Sequence, residues 1–317
     1  MPEFIIMLRN VLLFVALAIP GYILVKTKLM EEKASGVLSK ILTYLGMPFL
    51  ILSSTLDVEF TPELALKIAA VGILGALFTV AIFCLSAALI CKKDTKKRQG
   101  MARFCMVFSN NGFLGLPLAQ AVFADSPDVV IYLSVLNIIT NILMFTLGVY
   151  LISGDKNLIS VKKAVMNPVL IAFIVGIPLT LLNVNDVVPE IGKFAGYFKH
   201  IVTPISMTIL GMKMANINFA TLFGKRSMYY VSAVKLVLVP SLAVAVALLL
   251  RFLFTVDNDI IFGVFIAFAM PTAGLASAFS DRYDGDTENA VANTLGTTVL
   301  SILTIPVLYW ALCAILL

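Results

Sequence analysis

The sequence predicts an all-α polytopic membrane protein: ten transmembrane helices forming two inverted five-helix repeats, with broken crossing helices 4 and 9. Three observations predict it: the composition, the distribution of basic residues among the loops, and a pattern of helix breaks that occurs twice. Of the 317 residues, 60% are hydrophobic and 13% charged, whereas a soluble chain is nearer ~45–50% apolar and ~25% charged. A soluble fold of this size cannot hide so much apolar surface, because most of a globular surface faces water. A soluble enzyme, a nucleic-acid-binding domain and a disordered chain are thereby disfavoured. The net charge of +5 reads as loop charge that orients the chain in a lipid bilayer.

A bilayer core about 30 Å thick needs about 20 apolar residues per helix. Apolar runs between charged or turn-rich breaks give ten spans, over 4–25, 36–56, 66–91, 102–123, 129–152, 164–183, 190–211, 227–251, 260–280 and 288–316. The first run lacks a small-residue cleavage site and carries Pro20-Gly21 near its far end, so a cleaved leader is not expected there. Seventeen of the 23 basic residues fall in odd-numbered loops, among them Lys26 to Lys40, Lys92 to Arg103, Lys156 to Lys163, Lys213 to Arg226, and Arg282. The odd loops are therefore expected on the cytoplasmic side of the plasma (inner) membrane, with both termini outside.

Punctuation recurs about 156 residues apart. Pro20 answers to Pro178, Pro48 to Pro204, Asp57-Val58-Glu59-Phe60 to Asn216-Ile217-Asn218-Phe219, and the break around Pro117 to the break around Pro271. Four matches in order suggest a five-helix unit over 1–155 and a second over 156–317. Five is odd, so the second copy enters from the opposite side, an architecture common among secondary transporters. The blander reading is that proline is frequent in membrane helices.

Span 4 contains Ser109-Asn110-Asn111-Gly112-Phe113-Leu114-Gly115-Leu116-Pro117, and span 9 contains Met270-Pro271-Thr272-Ala273-Gly274. Proline removes an N–H and clashes with the preceding turn, and glycine weakens a helix while allowing close backbone approach. Unwound backbone survives in a membrane only inside protein or beside a water-filled cavity. Two such breaks at matched positions point to a ligand site near the midplane, where half-helix N-termini favour an anion such as a carboxylate. Packing kinks satisfied by neighbouring helices are the plainer alternative.

Polar residues surround the breaks. Asn110 and Asn111 can hold a carboxylate or cap a half-helix. Asn137 and Asn141 share one face of span 5, and Asn293 and Thr297 share one face of span 10; they line a path or act as interhelical glue. Lys235 is the one formal charge deep within a span, where a cation neutralises half-helix C-termini, holds an anion or exchanges a proton. Ser53, following Pro48, faces the site from an opposite wall or bonds its own backbone.

The four cysteines show no paired spacing and His200 is the single histidine, so neither a disulfide framework nor a metal site is expected. The run Asp281 to Glu288 does not fit an EF-hand and reads as a solvated turn. No phosphate loop, dinucleotide fingerprint or Ser/His/Asp set rises above chance, so neither an enzyme nor a cofactor is expected.

The run Ser109 to Leu118 resembles the fourth helix of the auxin efflux carrier (PIN-FORMED-like) family. Ala269-Met270-Pro271-Thr272-Ala273 and Asn293 to Pro306 resemble that family's ninth and tenth helices, and the likeness runs through the whole chain. It implies a scaffold from helices 1, 2, 6 and 7, a transport domain from helices 3–5 and 8–10, and elevator-type alternating access, often as a homodimer. By position Asn110 matches the family's substrate-contacting asparagine, Pro117 and Pro271 its crossover prolines, and Ser53 a scaffold serine at the site. The plant members' long cytoplasmic loop is missing, since the connection here is about Ser153 to Lys163. The compact form is similar to microbial members, several of which are thought to move malate, malonate or related acids.

The expected function is thus secondary transport of small organic anions. Asn110, Asn111, Ser53, Pro117, Pro271 and Thr272 are the candidates for substrate binding. Gly112, Gly115, Gly274, Asn137, Asn141, Asn293, Thr297 and Lys235 are the candidates for crossover support. Two rivals stand beside it: a sodium- or proton-coupled anion symporter, and a membrane sensor that binds ligand without moving it.

Overall fold

The computed structural model describes residues 2–91, 93–159, 166–215, 224–254 and 256–316. Helix occupies every one of the ten apolar runs. The first half holds α1 (Pro2–Lys26), α2 (Ala34–Leu56) and α3 (Pro62–Ala88), then α4 (Lys96–Val107), α5 (Leu116–Val122) and α6 (Pro127–Ser153). The second half holds α7 (Pro168–Leu181), α8 (Pro189–His200), α9 (Val202–Met214), α10 (Arg226–Leu253), α11 (Asn258–Ala269), α12 (Ala276–Arg282) and α13 (Thr287–Leu316). Six of these, α1, α2, α3, α6, α10 and α13, are long and apolar enough to cross a membrane. Many large apolar side chains point outward, Leu12, Leu66, Ile73, Leu77, Leu249 and Phe252 among them. Lipid is the solvent that tolerates such a surface, and the chain is a polytopic all-α membrane protein.

Starts and ends follow from local chemistry. Thr61 caps α3 by accepting from the Leu64 N–H, and Asn167 caps α7 by accepting from the Val169 N–H. Proline at the first turn of α3, α6, α7 and α8 occupies positions whose N–H has no helical partner. Asp286 accepts from the Asn289 N–H and opens α13, so part of the acidic run 281–288 is a capped turn. Wide π turns interrupt α2 at Leu42–Gly46 and α10 at Val234–Leu238, a third over Asn111–Gly115 leads into α5, and a fourth, with no proline after it, interrupts α6 at Met144–Gly148. Each of the first three runs into a proline, Pro48, Pro240 or Pro117, whose ring cannot share space with the carbonyl four residues before it. One extra residue in the turn relieves that clash.

Two groups of helices pack separately before they meet. In one, α1 lies on α9, and α7 and α8 lie on α2. A Cβ at Gly211 would fall on the backbone of Ala18 and Tyr22, and one at Gly21 on the backbone of Thr208, so glycine alone permits the α1–α9 approach. The α2–α7 seam is closed by Thr180, which donates to the Thr55 carbonyl at 2.8 Å. In the other group, α6 packs on α3 and α11, α10 on α11 and α13, and α4 on α6 and α13. Two thirds of the central stretch of α6 is buried (67%), against 28–39% in the other long helices, so α6 forms the middle of its group.

The structure moves several residues that the charge count assigns to loops. Arg103 is helical in α4, where its guanidinium donates to Ser86 Oγ at 3.0 Å and to the Phe83 carbonyl at 3.1 Å and lies over the Phe83 ring. Lys40 is inside α2, and Lys213 is in the last turn of α9. Long aliphatic stems let a cation extend a helix past its apolar stretch. Lys92, Lys162, Lys163 and the Asn216 to Phe219 half of the third repeat match lie outside the described residues.

Candidate functional site

Between α4 and the Asn111 turn, and between α11 and α12, the chain leaves the helix and the two unwound segments cross. The Asn110 N–H donates to the Pro271 carbonyl at 2.8 Å and the Ala273 N–H to the Phe108 carbonyl at 2.9 Å. Ser109 and Thr272 face each other as an antiparallel bridge between these bonds. Each break thus pairs one backbone N–H and one carbonyl with the other, which relieves part of the cost of unwound backbone away from water.

The surrounding side chains brace this crossing. Thr272 is fully buried; its Oγ1 donates to the Cys105 carbonyl at 2.9 Å, and its N–H donates to Thr297 Oγ1 at 3.1 Å. Thr297 in turn donates to the Asn293 carbonyl at 2.7 Å. Gly115 lies against Met270, with a Cβ there only 3.2 Å from the Met270 Cγ. Lys235 sits in the π turn of α10, fully buried, and donates to Ser109 Oγ at 2.5 Å and to the Phe268 carbonyl at 3.4 Å. Phe268 belongs to the last turn of α11, so the ammonium meets the negative end of that helix. Lysine has three donors and no acceptor, so the Ser109 oxygen accepts and its own O–H is left to donate elsewhere.

Beside the crossing is a cleft of about 570 Å³, lined by Ser109, Asn110, Gly112 and Phe113 from the first break and Ala273, Gly274 and Leu275 from the second. Asn137, Thr140 and Asn141 of α6 form one wall, and Thr43 and Met47 of α2 with Asn167 and Val169 at the start of α7 form the other. None of these residues is acidic or basic. The Asn110 side chain makes no hydrogen bond among the described residues, and Asn141 donates only to Asn137, at 2.8 and 3.1 Å. The N–H groups of Asn111, Gly112 and Phe113 likewise take no protein acceptor among the described residues. A Cβ on Gly112 would stand 3.7 Å from Asn137 Oδ1, and one on Gly274 would stand 3.6 Å from Asn110 Nδ2. The missing side chains leave both faces of the cleft open.

Of the residues singled out by sequence, Asn110, Gly112, Gly274, Asn137 and Asn141 come together at the cleft. Asn111 is turned away and buried, its Nδ2 donating to Thr140 Oγ1 at 3.4 Å and its Oδ1 unpaired. Pro117 is buried within α5, and Pro271 contributes a carbonyl rather than a surface. Thr272, Asn293, Thr297 and Lys235 lie behind the crossing. Ser53 is not at the cleft: its hydroxyl receives Lys199 Nζ at 3.3 Å and donates to Asp57 at 3.5 Å, with Lys199 paired to Asp57 at 3.2 Å. Sequence reading missed Ser109 as a contact, and also Thr140, which shares the helix face of Asn137 at i+3. It missed Lys213 as well, whose Nζ donates to the Gly274 carbonyl at 3.1 Å from the opposite group of helices. Asn167, a helix cap, carried no sequence signal for the cleft.

Comparison with known proteins agrees with this architecture. A relative from Methanothermobacter thermautotrophicus, described as an uncharacterized transporter, is 27% identical over 306 residues, which is 94% of this chain and 96% of its own. The family model described as "Membrane transport protein" matches residues 5–309. With nearly its whole length matched, its long apolar helices and its two crossed breaks, the chain belongs to the auxin efflux carrier family of membrane transport proteins and is a multi-pass membrane transporter.

Proposed function

We propose that the protein carries small organic anions, carboxylates of the malate, malonate or auxin-like kind, across the plasma membrane. The observation that carries this reading is the open N-terminal turn at Asn111–Phe113, facing a cleft that contains donors and no carboxylate. Three free N–H groups, the Asn110 amide and the free O–H of Ser109 all stabilise negative charge. Lys235 adds a positive charge one hydroxyl away from the cleft.

In this reading the halves 1–155 and 156–317 are inverted five-helix repeats of a ten-span protein. The pairing of helices supports it: α1 packs on α9 of the second half just as α7 packs on α2 of the first. Those helices form the scaffold, and the group around α6 and α10 forms the transport domain. The cleft is level with Thr43 and Met47, toward the lysine-rich end of α2. Ser53 lies six residues farther along α2, roughly 9 Å at 1.5 Å per residue. Sliding the crossing from the level of Met47 to that of Ser53 exposes the cleft to the other side and makes Ser53 a contact of the outward state only. A homodimer joined through the scaffold is compatible with this motion, and both termini lie outside.

Counterflow of radiolabelled dicarboxylates and monocarboxylates in proteoliposomes tests the proposal, with and without sodium. Saturable counterflow of at least one acid is expected, and Asn110→Ala should weaken its half-saturation about tenfold, the effect of one hydrogen bond to a charged group. Ligand binding without flux would make the protein a sensor instead. Flux that collapses without sodium would make it a symporter.

A further inference from the structure

A second cavity, open to solvent, lies outside the crossing between the end of α3, α4, the start of α10 and α13, about 750 Å³ with the solvent at its mouth included. Two guanidinium groups line it, Arg98 from α4 and Arg226 from the first turn of α10. Three other basic groups are engaged: Lys225 pairs with Glu288, Lys97 with Asp284, and Arg103 with Ser86 and Phe83. Arg226 has no partner among the described residues. Arg98 reaches the one carboxylate of the cavity, Asp94, only at 3.6 Å through Nη1, and its Nε is buried with no acceptor. Ser227 Oγ is also buried and unpaired. At the floor, Asn293 is 1% exposed; its unpaired Oδ1 accepts rather than donates, so it adds nothing to the donors that face an anion. Lys225, the capping residue of α10, offers no side-chain cap; the Met228 N–H bonds the Lys225 carbonyl at 3.1 Å, and the N–H groups of Arg226 and Ser227 take no acceptor among the described residues.

We propose that this cavity is a second anion site, separate from the transport cleft, which takes a phosphate group. Two arginines against one aspartate leave an excess positive charge, and guanidinium forks, a hydroxyl and helix N–H groups converge from two elements, α4 and α10. A phosphate has several terminal oxygens to meet such donors together, where a planar carboxylate has two. Ile90, Met106 and Val231 make an apolar wall next to these donors, so the phosphate is that of a lipid headgroup or of a free phosphate compound. The floor residue Asn293 stands one helical turn before Thr297, which holds the Thr272 N–H in the crossing. An occupant therefore braces α4, α10 and α13 behind the transport machinery.

The test uses the full-length protein and does not involve uptake, so it stands or falls apart from the carrier proposal. Thermal unfolding is followed in detergent against inorganic phosphate, with sodium chloride at matched ionic strength as control. A second arm compares nanodiscs of phosphatidylcholine with and without phosphatidylglycerol. A rise in melting temperature with phosphate assigns a soluble ligand, and a rise with phosphatidylglycerol alone assigns a lipid. In either case the half-saturation should weaken roughly tenfold or more in R98Q/R226Q, which loses both charge-assisted donors. Hydrogen exchange on the wild type, which needs no variant, should show protection of 226–233 and 98–106 by the stabilising ligand. Stabilisation by neither probe, stabilisation undiminished in the double variant, or protection elsewhere would each overturn the proposal.

Discussion

Lys235 shows how one residue connects membrane chemistry to the crossing. Its Nζ occupies a fully buried place where a helix end and a hydroxyl receive it. Lys235→Met keeps the volume and removes the donor, leaving the Phe268 carbonyl and Ser109 without it. The expected loss is about 1–3 kcal/mol, read as a lower melting temperature in detergent, together with weaker anion counterflow. A variant as stable and as active as the wild type would remove Lys235 from this role. That Asn110 lines the cleft was legible in part, because an asparagine beside glycine and proline in an apolar run marks a break with a polar group at it. Lys213 was not legible. A lysine near the end of a span looks like any orienting charge, and only packing brings it to the Gly274 carbonyl.

At the scale of elements, breaks and seams matter more than helix propensity. The prolines and glycines of spans 4 and 9 signalled interruption in the sequence. That each break supplies the other's hydrogen bonds is a fact of pairing, which periodicity does not encode. Thr272→Val tests it: the bond to the Cys105 carbonyl is lost at nearly constant volume, with an expected cost of about 1 kcal/mol in thermal unfolding and no change of helix content by circular dichroism. The α1–α9 seam depends on Gly211, whose Cβ would meet the backbone of Ala18 and Tyr22 rather than a movable side chain. Gly211→Ala should therefore destabilise by about 1–3 kcal/mol, whereas Gly36→Ala, with open space around it, should be near neutral. Equal melting temperatures for the two variants would contradict the seam.

For the whole molecule, the proposed orientation rests on charge and the proposed motion on the two helix groups. Cys91 is exposed in a basic loop, Cys84 is exposed on α3, and Cys105 and Cys313 are buried. In a Cys84→Ser background, a membrane-impermeant maleimide should label Cys91 only after the membrane is opened. Labelling in intact cells would reverse the proposed orientation. Lys213 joins the two groups through a part-buried bond to the Gly274 carbonyl. Lys213→Gln shortens that reach, and the expected result is a changed counterflow rate with little change in half-saturation, since the cleft itself is intact.

The amino-acid sequence alone determined the solvent, the helical class, the apolar runs, the two breaks and the asparagine that lines the cleft. These are properties of composition and local pattern, and local chemistry suffices to read them. Tertiary structure decided which polar groups meet. It put Lys235 on a helix end, turned Asn111 away while leaving Asn110 free, set Ser53 with Asp57 and Lys199, and gathered Arg98, Arg226 and Asn293 around one cavity. The physical reason is that a hydrogen bond between segments far apart in the chain depends on how helices approach and rotate against one another, and side-chain packing across the whole fold sets that approach.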